Sequence, residues 1–195
     1  MIKTDKKHKV KNVTVIDNYD SFTYNLVHYL ETIVEEVITV RVDELKDEYF
    51  NTTKHILISP GPGLPQDYPD LHKIIDRYHL SHSILGVCLG HQAIATYFKN
   101  PLENLKLVKH GVSNELNVID DQCLFKNLPV KFQIAHYHSW NVKTVNKELI
   151  ISAIDEENEI MAFRHKTLQI FGIQFHPESV LTEHGLTILN NWLSL

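Results

Sequence analysis

The chain has 195 residues, a length that fits one domain with a sizeable hydrophobic core. Hydrophobic residues make up 43% and charged residues 22%, and the net charge of -5 argues against the basic face that nucleic-acid binding requires. No apolar run reaches the roughly 18 residues that a membrane-spanning helix needs. Residues 1–12 are rich in lysine and have no apolar centre, so we expect a basic tail and not a secretory signal.

The chain contains two cysteines, Cys88 and Cys123, and one pair cannot build a disulfide framework. Because no export signal is recognised, we expect both thiols to stay reduced in the cytoplasm. Each of them must therefore be considered as either a structural or a reactive thiol.

The first half of the chain alternates short β-branched runs with amphipathic helical patterns. The predicted strands are residues 13–16, 37–42, 55–59 and 83–87, and the predicted helices are residues 23–32, 71–80 and 92–98. Strands that alternate with helices favour crossover connections and a mainly parallel sheet.

The second half is rich in strand-like segments with few helices between them. The predicted strands are residues 105–110, 114–119, 132–135, 149–154, 159–164 and 168–175. Residues 184–195 form a predicted closing helix, with Leu186, Leu189 and Leu193 at helical spacing. We therefore predict an open, mainly parallel, twisted α/β sheet over residues 13–195, with helices on both faces and antiparallel strands from the second half.

Four informative segments fall at predicted strand ends: residues 17–22, residues 60–63, Cys88 and residues 176–178. Ligands of an open α/β sheet bind beyond the carboxyl ends of its strands. The four segments are therefore expected to meet in one crevice.

Cys88 lies in a Gly-x-Cys-x-Gly pattern, Gly86 to Gly90, between a strand and a helix. This is the thiol form of a nucleophile elbow, a sharp turn whose crowding requires small residues on either side of the nucleophile. The turn places the sulfur at a helix N-terminus, which favours the thiolate, and points the N–H of Leu89 toward a developing oxyanion. Cys123 lacks this setting and is predicted to be structural.

His176 and Glu178 provide the base and orienting partner that a thiol nucleophile needs. They follow an apolar strand, and residues two apart in an extended chain point to the same side. Glu178 can thus bind one imidazole nitrogen and leave the other facing Cys88. The spacing alone is equally compatible with a surface turn.

The turn at residues 60–63 reads Pro-Gly-Pro-Gly. Proline restricts φ, whereas glycine allows positive φ and close backbone approach, so the turn can hold a backbone N–H toward a reacting carbonyl. Five of the seven glycines lie in this turn, the elbow and the strand before His176. Their concentration suggests that one site imposes these backbone requirements.

The motifs GVCLGHQ around Cys88 and GIQFHPES around His176 resemble those of class I glutamine amidotransferases. ISPGPGLP at residues 58–65 is similar to that family's oxyanion and glutamine loop. IDNYDSFTYNL at residues 16–26 narrows the resemblance to component II of anthranilate synthase and of aminodeoxychorismate (para-aminobenzoate) synthase. The resemblance extends from about residue 13 to residue 195.

The resemblance implies a Cys88–His176–Glu178 triad and no metal or cofactor in this chain. The residues that it implies for glutamine binding are Gly61, Pro62, Gly63, Leu89, Gln92, Ser139 and Trp140. It also implies a chorismate-binding component I as protein partner, which carries the Mg²⁺ requirement.

Tyr19, Asp20 and Ser21 leave the first strand at the rim of the crevice, and we predict that they contact this partner. Capping of the next helix is the alternative role. Anthranilate and aminodeoxychorismate both remain open as the product.

Two positions depart from the family pattern. Phe98 is followed by Lys99 and Asn100 where the family often has two glycines, and His136 stands where arginine is usual. The departures leave the helix exit and a possible partner contact undecided.

Three other functions compete with this interpretation. An amidotransferase subunit for guanylate or carbamoyl-phosphate synthesis is disfavoured by the segment at residues 16–26. The intact set of Cys, His and Glu argues against a non-catalytic regulatory module of the same fold. A metal site of Cys88, His91 and His176 lacks a closed ligand set.

Overall fold

The protein, described by a computed structural model over residues 10–195 (the side chain of Leu107 excepted), forms one nine-stranded sheet with helices packed against it. The strands are β1 (Val10–Asp17), β2 (Val34–Arg41), β3 (His55–Ile58), β4 (Ser83–Val87), β5 (Leu102–Val118), β6 (Lys131–Val142), β7 (Leu149–Asp155), β8 (Ile160–His165) and β9 (Ile170–Ile173). The α-helices are α1 (Thr23–Glu31), α2 (Pro69–Tyr78), α3 (Leu89–Tyr97) and α4 (Gly185–Leu193).

The strand order is β2-β1-β3-β4-β9-β8-β7-β5-β6. Neighbours from β2 to β9 pair in parallel, and neighbours from β9 to β6 pair antiparallel. Helical crossovers join parallel strands of the first half, whereas direct connections between successive strands of the second half give the antiparallel pairs β5–β6, β7–β8 and β8–β9. The predicted α/β sheet is confirmed, although its antiparallel part is as wide as its parallel part.

The helices divide between the two faces of the sheet, as predicted. Along β3, Leu57 packs into one hydrophobic cluster, and its neighbours Ile56 and Ile58 pack into the other. Buried side chains of α1 and α4 belong to the first cluster, and those of α2 and α3 belong to the second. The sheet is therefore covered on both sides, as parallel strands require.

Two predicted segments differ from the structure. Residues 105–110 and 114–118 belong to a single strand, β5, which continues through irregular register around Gly111, where φ is +69°. A bulge of this kind bends a strand without ending it. The helical spacing predicts Leu186 on the buried side of the last helix, but it is 41% exposed. The buried positions begin at Gly185 and Ile188, so the apolar stripe is rotated by about one residue.

The first strand begins earlier than predicted, because β1 starts at Val10 and not at residue 13. Residues 1–9 of the predicted basic tail lie outside the described residues. Among the described helices, none is both long enough and apolar enough to span a membrane.

The exit of α3 explains how the chain manages without two glycines after Phe98. Lys99 adopts the left-handed conformation, with φ of 61°, which glycine usually provides at a helix end. The amide nitrogen of Asn100 donates to the carbonyls of Ala95 and Phe98 at 3.1 and 3.2 Å, and Asn146 donates to Phe98 at 2.7 Å. Two asparagines therefore bind the terminal carbonyls of this helix.

Candidate active site

The ends of β1, β3, β4 and β9 bring the predicted site residues to one edge of the sheet. The Asn18 amide donates to the carbonyl of Ser59 at 2.8 Å, which ties the loop after β1 to the loop after β3. The Cys88 N–H donates to the carbonyl of Ile173 at 2.9 Å, which ties the exit of β4 to the end of β9. The four segments therefore meet in one crevice, as their positions at strand ends predict.

Cys88 occupies a strained turn at the start of α3. Its φ of 52° and ψ of -101° lie outside the conformations that a non-glycine residue ordinarily adopts, at a cost of about 1–3 kcal/mol. A Cβ atom on Gly86 would lie 2.3 Å from the backbone of Gly90, and one on Gly90 would lie 2.3 Å from the carbonyl oxygen of Ile58. The crowding expected for a nucleophile elbow is thus present on both sides of the thiol.

His176 and Glu178 form a buried pair beside the elbow. The imidazole Nδ1 and the Glu178 Oε1 are 2.7 Å apart, and both residues are almost inaccessible to solvent. Burial opposes the imidazolium, but the Cys88 thiol and the Glu178 carboxylate outweigh it and raise the pKa of His176 to about 10. The arrangement therefore favours the protonated imidazolium of His176 next to Cys88.

The Nε2 atom of His176 is buried and has no conventional hydrogen-bond partner among the described residues. Catalytic hydrogen bonds are often long before substrate binds and shorten in the reactive complex. This nitrogen is accordingly the one available for proton exchange with Cys88 or with a departing group.

Thr182 holds the backbone of His176, a role that the sequence did not reveal. Its hydroxyl donates to the His176 carbonyl at 2.6 Å and accepts from the Ala135 N–H at 3.0 Å. Gly185 lies so close to Pro177 that a Cβ atom there would meet the proline carbonyl oxygen at 1.8 Å. The segment after β9 is therefore fixed by β6 on one side and by the start of α4 on the other.

A cavity of about 160 Å³ opens beside the thiol, smaller than the roughly 300–1,000 Å³ of pockets for drug-sized ligands. Its lining residues are Gly61, Pro62, Gly63, Cys88, Leu89, Gln92, Tyr137, His138, Ser139 and Trp140. Every residue predicted for glutamine binding is present in this lining. Tyr137 and His138 are further lining residues for which the sequence predicts no role.

The glycine turn lies against the start of α3. A Cβ atom on Gly61 would meet the Leu89 side chain at 2.5 Å, so the turn packs closely beside the elbow. Gly63 has φ of +74°, and the Leu64 N–H donates to Asp67 at 2.8 Å, which fixes the turn. Backbone N–H groups at the beginning of a helix lack intrahelical partners and can bind an anion. An oxyanion on a substrate bound to Cys88 would therefore find donors here.

The Trp140 carbonyl in the cavity wall is fixed by two side chains. The Gln92 amide nitrogen donates to it at 2.9 Å and also to Gln174 at 3.1 Å. His138 Nδ1 lies 3.0 Å from the same carbonyl, so Nδ1 carries the proton and donates. The Nε2 atom of His138 is then unprotonated and accepts from His136 Nδ1 at 3.0 Å. The resemblance predicts that Gln92 holds the substrate directly, and in this structure its amide nitrogen orders the cavity wall.

His136, at the position where arginine is usual, is a neutral member of this hydrogen-bonded chain. Burial is the main cause that lowers its pKa to about 4, and it lowers that of His138 to about 3. Both imidazoles are therefore uncharged, and each donates one hydrogen bond to the next group without placing a positive charge in the interior.

A group of three carboxylates lies behind these histidines and binds a lysine. Lys109 Nζ is 2.8 Å from Asp155, 3.0 Å from Glu157 and 2.9 Å from Glu159. Burial disfavours the ammonium, but these three partners raise the pKa of Lys109 above its usual value. In the described part of the chain, these carboxylates are the only group of side chains close enough together to hold a metal ion. The Lys109 ammonium binds to all three.

His91 belongs to the core and not to a metal site with Cys88 and His176. It is fully buried, its ring lies 4.4 Å from that of Phe163, and burial lowers its pKa to about 3. Within residues 10–195 the atoms of Cys88, His91 and His176 do not form a group that could hold an ion.

The loop of residues 17–22 is braced by its own side chains. Asp17 accepts from the Tyr19 N–H at 3.0 Å and from the Thr23 hydroxyl at 2.9 Å, and Asp20 accepts from the Phe22 N–H at 2.7 Å. Asp20 thus contributes to the turn into α1, which is the alternative role considered for it. Tyr19 is 49% exposed, and the Arg41 guanidinium lies 5.5 Å from its ring.

The crevice thus brings together an elbow thiol, a buried imidazole–carboxylate pair and a small cavity, and the family model for class I glutamine amidotransferases matches residues 14–194. The chain belongs to the class I glutamine amidotransferase family. This amidotransferase is 41% identical to anthranilate synthase component 2 of Thermus thermophilus, over 96% of this chain and 94% of the relative. It is 42% identical to anthranilate synthase component 2 of Methanocaldococcus jannaschii, over 95% and 98% of the two chains.

Solved structures share the fold of this amidotransferase. A glutamine amidotransferase from Thermotoga maritima superposes with a TM-score of 0.73 at 15% identity, over 96% of this chain and 97% of the other. A Thermoplasma acidophilum protein, provisionally assigned to GMP synthase, superposes with a TM-score of 0.86 at 24% identity, over 96% and 94%. At these identities the likeness concerns the fold alone.

Proposed function

We propose that this chain is the glutaminase subunit of a two-component synthase that uses chorismate, and that anthranilate is its product. The observation that carries the proposal is the Cys88–His176–Glu178 arrangement beside an amino-acid-sized cavity, in a chain about 40% identical to anthranilate synthase component 2 over almost its whole length. Glutamine is the proposed substrate, and Gly61, Gly63 and Leu89 are proposed to contact it.

In the first half-reaction, the Cys88 thiolate attacks the side-chain amide carbon of glutamine. Backbone N–H groups of Gly63 and Leu89 stabilise the oxyanion, an effect worth about 3–4 kcal/mol for one donor in comparable sites. His176 gives its proton to the departing nitrogen, so ammonia leaves and a glutamyl thioester remains on the sulfur.

In the second half-reaction, His176 takes a proton from water, which attacks the thioester carbonyl. Glutamate leaves and Cys88 returns to the thiolate. Glu178 stabilises the imidazolium in both steps and keeps Nε2 directed toward the reacting atoms, since its carboxylate binds Nδ1.

Ammonia released into water would mostly become ammonium, which is not a nucleophile. We therefore propose that ammonia passes to a chorismate-binding component I, which is a separate chain. Mg²⁺ is proposed to bind to that component, and this chain is proposed to need no cofactor. The names of the relatives favour anthranilate over aminodeoxychorismate and over the acceptors of guanylate or carbamoyl-phosphate synthesis. A cytoplasmic location stays a prediction.

Replacing Cys88 by Ser tests the division of labour between the two components. The variant should lose glutamine-dependent synthesis and keep synthesis from added ammonium salts, because the thiol produces ammonia and does not consume it. Both rates are measured in the complex with component I by following the aromatic product. Loss of the ammonium-dependent rate in a folded complex would contradict the proposal, and a product other than anthranilate would correct the pathway assignment.

A further inference from the structure

Two aromatic rings contact the catalytic histidine in addition to Glu178. The ring centroid of Phe22, in the loop after β1, lies 5.9 Å from that of His176 in an edge-on arrangement of 77°. Tyr137 of β6 lies 5.0 Å from His176, and the Phe22 and Tyr137 rings are 5.3 Å apart. All three separations fall within the roughly 4.5–7 Å of interacting aromatic pairs.

These rings restrict a motion that the triad hydrogen bond leaves free. The bond between His176 Nδ1 and Glu178 fixes one point of the imidazole, around which the ring can still tilt. Tilting would move Nε2, the atom that must reach Cys88, and this nitrogen has no other partner among the described residues. Contact with Phe22 and Tyr137 limits that tilt.

Phe22 also belongs to a loop whose other end is exposed. The loop is one braced unit, since Asp17 binds the Tyr19 N–H and Asp20 binds the Phe22 N–H. Tyr19, in the same loop, is 49% exposed. Tyr19 and Phe22 lie three positions apart in this loop, so a contact at Tyr19 has a short route to the ring that meets His176.

We propose that Phe22 is a positioning residue for His176, and that docking of the synthase component on residues 17–22 reaches the triad through it. This inference rests on the proposed function, because it requires a partner that docks beside the crevice. Phe22 is absent from the cavity lining, so we expect its replacement to change the orientation of the base and not glutamine binding.

The test compares Phe22→Leu with Phe22→Tyr, which retains the ring. A displacement of about 1 Å at a reacting group can cost on the order of 100-fold in rate, so Phe22→Leu should lower the basal glutaminase kcat at least about tenfold. KM should stay unchanged, and Phe22→Tyr should restore most of kcat. Tyr24→Leu is the matched control, because Tyr24 is 68% exposed on the neighbouring helix and should keep wild-type kcat.

The alkylation rate of Cys88 as a function of pH separates positioning from general loss of structure. If Phe22 orients His176, the midpoint for thiolate formation should rise in Phe22→Leu, because the imidazolium no longer stabilises the thiolate as well. A wild-type kcat in Phe22→Leu would overturn the inference. A lower kcat with an unchanged alkylation profile would also overturn it, since only stability would then have changed.

Assays of the complex with component I test whether Phe22 links partner docking to the rate of glutamine hydrolysis. Phe22→Leu should retain ammonium-dependent synthesis and lose most of the acceleration of glutamine hydrolysis by the partner. If the wild-type complex makes no aromatic product from glutamine, the proposed function fails, whatever Phe22 does. If the wild type is accelerated and Phe22→Leu is accelerated by the same factor, the inference alone fails.

Discussion

The two cysteines have similar backbone φ angles but different surroundings, and the surroundings determine the reactivity of a thiol. Cys88 and Cys123 have nearly the same positive φ, 52° and 51°. Cys88, however, begins the nine-residue helix α3 and faces an imidazole, whereas Cys123 begins a short 3-10 turn (Cys123–Phe125). Partial burial raises the pKa of the Cys123 thiol. Their surroundings therefore predict very different reactivities.

A glutamine-like electrophile should consequently label Cys88 and leave Cys123 largely unmodified. The cavity beside Cys88 can hold the amino-acid part of the reagent, and the imidazole of His176 interacts with this thiol. Peptide mapping after limited labelling measures the ratio directly. Addition of glutamine should protect Cys88, and equal modification of both thiols would exclude an activated nucleophile.

The segment between β9 and α4 carries His176 and Glu178, and its position depends on Thr182, for which the sequence predicts no role. The alternation of an extended chain predicts the His176–Glu178 pair, and the 2.7 Å contact between these residues agrees with it. Thr182 could not be predicted, because its hydrogen bonds join residues that are 6 and 47 positions away along the chain. Only the folded sheet brings β6 beside this segment.

Thr182→Val keeps the shape of the side chain and removes both hydrogen bonds. The buried Ala135 N–H then loses its partner, which costs about 1–3 kcal/mol, and the backbone of His176 is released. We expect a lower unfolding temperature together with a lower glutaminase kcat. Thr187→Val, an exposed change on α4, is the matched control. A wild-type kcat in the destabilised Thr182 variant would show that this hydrogen bond does not position the base.

At the scale of the whole molecule, the sequence indicated the sheet, its layers and the crevice, because strand ends, glycines and reactive residues are local patterns. It did not indicate the buried His136–His138 pair or the Lys109 ion cluster. Lys109 lies opposite His138 in the β5–β6 pairing, and its carboxylate partners lie some 46–50 residues away. Such long-range polar contacts follow from strand register, which composition and periodicity do not determine.

A change at Tyr19 tests whether the loop of residues 17–22 is part of the docking surface. The Asp20 carboxylate accepts a hydrogen bond in the turn into α1, so replacing it would also disturb that turn. Tyr19→Ala alone is therefore a more specific test than replacing Tyr19 and Asp20 together. We expect Tyr19→Ala to weaken partner binding and glutamine-dependent synthesis, and to leave the basal glutaminase rate of the isolated chain nearly unchanged. The Tyr19 ring is half-exposed and makes its described ring contact with Arg41, so its loss should not disturb the triad.

Leu80→Ala provides the control for this experiment. Leu80 is 77% exposed and precedes β4, at the amino edge of the sheet and therefore away from the crevice. Partner affinity, coupled synthesis and basal hydrolysis are measured for the wild type and both variants. If the two variants bind and couple alike, residues 17–22 serve the turn into α1 alone, and the docking surface must lie elsewhere around the crevice. If only Tyr19→Ala loses coupling, the exposed end of the loop contacts the synthase component, since basal catalysis reports separately on the triad.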